Sequence, residues 1–143
     1  MISGAMVDDT TSVLQAVPLF SELDDQAIDH LVAIATVVDV PRGSVLIERG
    51  APGSGMFVIL AGEAEVELRH RAVTLGPGEF VGELSLLTDH AARVARVRAG
   101  SDVRCLAIGR PAFVELLNEH PAIALPMLSA LARRVQDLIE HPA

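Results

Sequence analysis

The stretch Phe80–Ala99 (FVGELSLLTDHAARVARVRA) holds the residue types best suited to chemistry in this 143-residue chain. A glycine-rich turn containing Gly76 and Gly78 leads to Gly82, after which Glu83-Leu84-Ser85-Leu86-Leu87 can form one or two helical turns. The first N–H groups of a helix have no partner inside it and carry a partial positive charge, so a phosphate suits such an end. Gly82, lacking a Cβ, lets an anion come close to the backbone. Many glycine-to-helix junctions bind only water, so this is half a site at best.

The other half is Arg93. Strand alternation resumes there, and side chains two apart share a face, so Arg93 aligns with Ala95, Val97 and Ala99. Arg96 and Arg98 face the other way with Val94 and suit a solvated surface. A cation registered with small apolar side chains is costly unless it is paired. Either Arg93 meets an anion in a charge-assisted contact, or it stands at the strand entrance and reaches water. Periodicity leaves both open. Glu83 is similarly open: a carboxylate in a first helical turn is worth about 0.3–1 kcal/mol through the dipole alone.

Other chemistries lack their partners. A cupin-like enzyme needs converging His and carboxylate ligands on adjacent strands, whereas His30, His70, His90, His120 and His141 are scattered and none pairs at strand spacing. Ser85 has the type of a nucleophile but no identifiable base. The single Cys105 forms no internal disulfide, and no Cys/His cluster has zinc-ligand spacing. The chain therefore reads as non-enzymatic, with no catalytic residue and no metal ligand.

The elements that must position these residues follow from pattern. Asp9-Thr10-Thr11 offers caps for a helix through Gln15, Pro18–Ser21 makes a turn, and Asp24-Asp25 opens a helix with Ala27, Ile28, Leu31, Val32 and Ile34 on one face. Strands are predicted at Val37–Val40, Ser44–Glu48, Met56–Leu60, Glu63–Leu68, Ala72–Leu75, Arg93–Ala99 and Val103–Ile108, with a loop at Gly50–Gly55. Pro111 starts a helix, Pro121 interrupts it, and a last helix reaches about Glu140 with Leu128, Leu131, Val135 and Leu138 at spacings of three and four. That stripe suits packing within the chain better than a dimer seam. Helices, then short strands, then helices indicate an α+β fold, an antiparallel β-roll (double-stranded β-helix or jelly roll) with flanking helices. One domain is expected over 1–143: N-terminal helices 1–35, a roll over 36–109 with the site segment at 80–95, and C-terminal helices over 110–143.

Composition narrows the partners. A net charge of −8 with no basic cluster opposes binding to DNA. No apolar run approaches the roughly 20 residues of a membrane span, and the N-terminus has no signal-peptide pattern. The expectation is a cytoplasmic protein of a reducing compartment. With four Phe and no Trp or Tyr, the core must be aliphatic and aromatic stacking on a ligand is hard to arrange.

The run Phe80–Ala99 resembles the phosphate-binding cassette of the cyclic-nucleotide-binding domains, the family of the bacterial catabolite activator proteins and the regulatory subunits of cAMP-dependent protein kinase. Their pattern is roughly Phe-Gly-Glu, a small residue, Ala or Ser and Leu, then a short loop, Arg, a small or hydroxyl residue, Ala, and an aliphatic residue one position further on. Gly82, Glu83, Leu84, Leu86, Arg93, Ala95 and Val97 match, with a Glu83-to-Arg93 interval typical of bacterial members. Gly50, Phe57-Val58-Ile59-Leu60, Gly62 and the turn Gly76–Phe80 echo the family upstream, and the resemblance covers roughly residues 14–140.

It implies a receptor for cAMP whose site comprises Gly82, Glu83, Leu84, Ser85, Arg93, Val94 and Ala95. Glu83 would accept from the ribose 2′-hydroxyl, Arg93 would pair with the cyclic phosphate, and backbone N–H groups of 83–85 and 94–95 would complete the cradle. Val94 stands where the family usually has Ser, Thr or Ala, which argues against cGMP, and Ala92 replaces a frequent Pro. A lid must be aliphatic, with Leu125, Leu128 and Leu131 as candidates. Binding would draw the loop 76–91 inward and move the helix after Pro121, signalling to an effector domain or protein. The alternative is a degenerate roll serving as an interaction or homodimerisation module. No helix-turn-helix follows the last helix within this chain, so it stands alone as a receptor or is the sensor piece of a longer protein.

Overall fold

The computed structural model describes residues 10–48, 55–88 and 95–141. It divides into two compact units, Ala35–Phe113 and Met1–Ile34 with Val114–Ala143.

The first unit is the roll. Eight strands are formed among the described residues: β1 (Thr36–Val40), β2 (Val45–Ile47), β3 (Gly55–Ala61), β4 (Ala64–Glu67), β5 (Ala72–Leu75), β6 (Phe80–Val81), β7 (Arg96–Ala99) and β8 (Val103–Gly109). They make two antiparallel four-stranded sheets, ordered β1-β8-β3-β6 and β2-β7-β4-β5. The fold is therefore the flanked antiparallel roll that the sequence indicates. β3 is covered on both faces, as its unbroken apolar run requires: Met56, Val58 and Ile59 are each 0% exposed. β4 begins one residue later than the alternation of Glu63 predicts. Gly62, at φ +85°, turns the chain there, and the Glu63 N–H donates to the Ser101 hydroxyl at 3.0 Å instead of joining the ladder. The core of the roll is aliphatic, built on Ile47, Ile59, Ala64, Val97, Ala99, Val103 and Cys105.

On the outer surface the charges close among themselves. The Arg104 guanidinium donates to both Asp39 oxygens at 2.8 and 3.3 Å, and these hydrogen bonds hold the Asp39 carboxyl below the usual carboxylate range. Such exposed pairs add little stability, and here they mark the wet face of β1 and β8.

The second unit is helical. Residues 10–15 form α1, and a 3-10 turn follows at Pro18–Phe20, where proline presets φ. Asp24 caps α2 (Asp25–Ile34), its Oδ1 accepting the Ala27 N–H at 2.9 Å. Ala27, Ile28 and Leu31 are buried from α2, alongside Leu14, Val17 and Phe20. α3 (Arg110–Glu119) starts in the roll unit and ends here. Pro121–Ile123 is a 3-10 turn, and α4 (Ala124–Glu140) completes the chain.

In α4 the buried side chains are Met127 and Ala130, while Leu125, Leu128, Val135, Leu138 and Ile139 are 51–75% exposed. A helical period identifies an apolar face but not what covers it, and α4 has two such faces.

Candidate functional site

The site segment hangs from β3. Gly78 N–H donates to the Ile59 carbonyl and Ile59 N–H to the Glu79 carbonyl, both at 2.8 Å, which fixes the turn Gly76–Glu79 to the centre of that strand. Gly78 adopts φ +88°, a conformation that favours glycine. The Glu79 carboxylate then folds back to accept the Gly76 N–H at 2.8 Å. This capping role of Glu79 was not singled out from sequence. Its signal is a carboxylate three residues after a glycine in a Gly-Pro-Gly-Glu turn, an arrangement in which a side chain can reach the orphan donor.

β6 carries the chain onward, pairing Phe80 with Val58 and Val81 with Phe57. Gly82, at φ +85°, redirects it into a single 3-10 turn, Glu83–Leu86. The Ser85 N–H donates to the Gly82 carbonyl at 3.0 Å and closes the turn. Ser85 and Leu86 are buried, at 7% and 1% exposure, so the turn is seated by its C-terminal half. Glu83 leads the turn and is half-buried. Leu84 follows it within the turn.

The strand half of the site is β7. Ala95, Val97 and Ala99 are 8%, 1% and 1% exposed, so this face is the roll interior. Arg96 and Arg98 face outward, as expected, and are already engaged. Arg96 Nε meets Glu48 at 2.7 Å, and Arg98 Nε meets Glu67 at 3.3 Å while its other arm donates to the Gly43 carbonyl at 2.9 Å. Arg93 and Val94, with Ala92 and the Gly50–Ser54 loop, lie outside the described residues. Of the expected site residues the structure thus places Gly82, Glu83, Leu84, Ser85 and Ala95.

Among the described residues no group of three or more His, Cys, Asp or Glu is placed to hold a metal ion. Cys105 lies in the core, where burial foremost and the nearby Asp39 charge secondarily push its thiol up, away from the reactive thiolate. No helix among the described residues is long and apolar enough to cross a membrane.

Comparison with known proteins agrees with this geometry. The family model described as the cyclic nucleotide-binding domain matches residues 37–120. A cAMP-dependent protein kinase regulatory subunit of Blastocladiella emersonii is 32% identical over 135 residues, covering 90% of this chain and 32% of its own. The N-terminal domain of a transcriptional regulator from Streptomyces coelicolor superposes with a TM-score of 0.80 at 33% identity, over 90% of this chain and 93% of that one. The regulatory domain of Toxoplasma gondii PKA, crystallised with cAMP, gives a TM-score of 0.71 at 26% identity, over 78% of this chain and 44% of that one. The chain spans about a third of the length of the curated relatives it matches. By the match over more than half its length, by the roll and by the Gly82–Leu86 turn, this chain belongs to the cyclic nucleotide-binding domain family.

Proposed function

We propose that the chain is a non-enzymatic cAMP receptor, a regulatory domain that takes the cyclic phosphate beside the Gly82 turn. The observation that carries this reading is the pairing of two half-sites. A glycine in the left-handed region presents the Glu83–Leu86 turn, and the segment proposed to carry Arg93 leads into β7, where Ala95, Val97 and Ala99 face the roll interior. A guanidinium brought to such an aliphatic interior requires an anion. Gly82, Glu83, Leu84, Ser85, Arg93, Val94 and Ala95 form the site. Arg93 pairs with the phosphate, Glu83 accepts from the ribose 2′-hydroxyl, and Ala95 lies beneath them. Backbone N–H groups of 83–85 and 94–95 complete the cradle. No cofactor is required. Val94, with no hydroxyl to offer, favours cAMP over cGMP.

The test is calorimetric titration of the purified chain with cAMP and cGMP. Arg93→Ala should weaken cAMP by roughly 2–5 kcal/mol, because it leaves a buried anion unpaired. That corresponds to about 30- to 3000-fold in Kd. An unchanged Kd removes Arg93 from the site.

The output of the receptor is carried by its C-terminal helices: binding draws the 76–91 segment inward and biases the position of α4, a population shift read by an effector domain or protein. The three-part layout, with helices on either side of a roll that houses the 80–95 cassette, serves that transfer within one domain. A buried free thiol fits a cytoplasmic setting.

A second reading is favoured by one specific observation. Leu125, Leu128, Ala132, Val135 and Ile139 are all exposed and fall at spacings of three, four, three and four, which is a coiled-coil seam. On this reading α4 pairs two copies of the chain, and the roll is an association module whether or not it binds a nucleotide.

A further inference from the structure

Polar side chains are scarce in the interior. Among the described residues only Thr10 and Ser85 are both polar and buried, each 7% exposed. Thr10 is engaged, whereas the Ser85 hydroxyl has no hydrogen-bond partner among the described residues. A buried hydroxyl left without a partner destabilises a fold, and buried polar groups are almost always hydrogen-bonded. Packing supplies no reason for this one. Ser85 sits in the Glu83–Leu86 turn, which lies against β3, and Leu86 beside it, 1% exposed, supplies the apolar seat. Alanine would fit the same position without an unbonded hydroxyl, so the fold by itself gives that group no use.

The place of the turn narrows what the partner is. Gly82, at φ +85°, opens it, and Glu83, half-buried, stands two residues before Ser85. We infer that the Ser85 side chain is a further binding residue, its hydroxyl donating to an exocyclic oxygen of the cyclic phosphate. This rests on the cAMP-receptor reading and adds a side-chain donor to the backbone donors of the cradle.

The roles divide by chemistry. A phosphodiester monoanion offers acceptors and no donor, and a serine hydroxyl rotates to give its one proton to an acceptor. A hydrogen bond to a charged oxygen is shorter and stronger than one between neutral groups. The Glu83 carboxylate can only accept, which suits the ribose hydroxyl and not the phosphate. Ser85 and Glu83 on one turn thus meet the two unlike halves of a ribose cyclic phosphate. With ligand in place the Ser85 hydroxyl is satisfied, and without it the group is a standing cost to the fold.

That asymmetry is what the experiment reads, by thermal unfolding and calorimetric titration of Ser85→Ala beside the unsubstituted chain. Without ligand the variant should unfold at the same temperature or a few degrees higher, because it loses only an unbonded hydroxyl. Its Kd for cAMP should rise about tenfold, the lower end for a hydrogen bond to a charged group. Analogues with sulfur replacing one exocyclic phosphate oxygen, one diastereomer at a time, locate the contact. One diastereomer should lose less than cAMP does on substitution of Ser85, because sulfur accepts a hydrogen bond weakly. Equal losses for cAMP and both diastereomers overturn the assignment. An unchanged Kd for cAMP overturns it too and leaves the receptor reading intact, whereas no binding by the unsubstituted chain overturns that reading as well. A lower Tm of the ligand-free variant means that the hydroxyl serves the fold, and likewise overturns the inference.

Discussion

Substituting Gly82 by alanine tests whether the left-handed turn serves a ligand or only the fold. Gly82 adopts φ +85°, where a Cβ costs roughly 1–2 kcal/mol. Alanine also stiffens the unfolded chain, which returns about 0.4–1 kcal/mol. The net loss is about 1 kcal/mol, or about 3–4 °C in Tm for a chain of this size. Gly78 is the matched control. Its φ of +88° is nearly the same, and an added Cβ there meets nothing within 4 Å, so Gly78→Ala should lose the same stability for the same reason. The two share this left-handed φ and differ in position. Gly82 leads the Glu83–Leu86 turn at which an anion must approach the backbone, whereas Gly78 is bonded to Ile59 at the far end of β6. Thermal unfolding and calorimetry with cAMP should therefore show two equally destabilised proteins. Only Gly82→Ala should lose affinity, by about tenfold or more, equivalent to about 1.4 kcal/mol. Equal Kd values for the two variants would mean that the turn does not face the ligand.

Glu83→Gln should weaken cAMP but leave a 2′-deoxy analogue unaffected, since only the ribose hydroxyl needs the carboxylate. Equal losses for both sugars reject that role. Cys105, fully buried and with its thiol pushed up, should resist alkylation in the folded chain and react readily in denaturant. Labelling of the native protein would place it elsewhere than in the core. Replacing both Leu128 and Ile139 by Glu strips two side chains that are 61% and 75% exposed. If α4 pairs two copies, that removes roughly 2–4 kcal/mol of burial per protomer, and sedimentation should show a dimer becoming a monomer. A monomer at every concentration before substitution would dismiss the seam.

Much of the roll was legible because strand physics is local. A period of two says which side chains turn inward, and β5 at Ala72–Leu75 and the inward set Ala95, Val97, Ala99 were read residue by residue. Caps and breaks are local too: Asp24 on α2 and Pro121 between α3 and α4 stand where their chemistry places them. What escaped was non-local. The exposure of the α4 stripe depends on what surrounds the helix, and its period cannot report that. The stacking of His30 on His120 joins residues far apart in sequence, and neither side chain carries a sign of the other. In the site itself, sequence named the Gly82 turn but not the commitment of the Ser85 N–H or the return of the Glu79 carboxylate, both of which follow from the tightness of the turns. The pairing of Glu83 with Arg93 rested on family resemblance, because periodicity alone left Arg93 a choice between water and an anion.

The outer face of β7 bears on that choice. Two arginines, Arg96 and Arg98, stand on the outer face of this strand. Arg96 and Arg98 are engaged by Glu48, Glu67 and the Gly43 carbonyl, contacts between neighbouring strands of one sheet that lock each guanidinium against its own surface. Turning either toward a ligand would break an existing ion pair and would carry it through the plane of the sheet. The protein's own carboxylates thus satisfy the outward arginines. On the proposed reading the cyclic phosphate therefore falls to Arg93 rather than to Arg96 or Arg98.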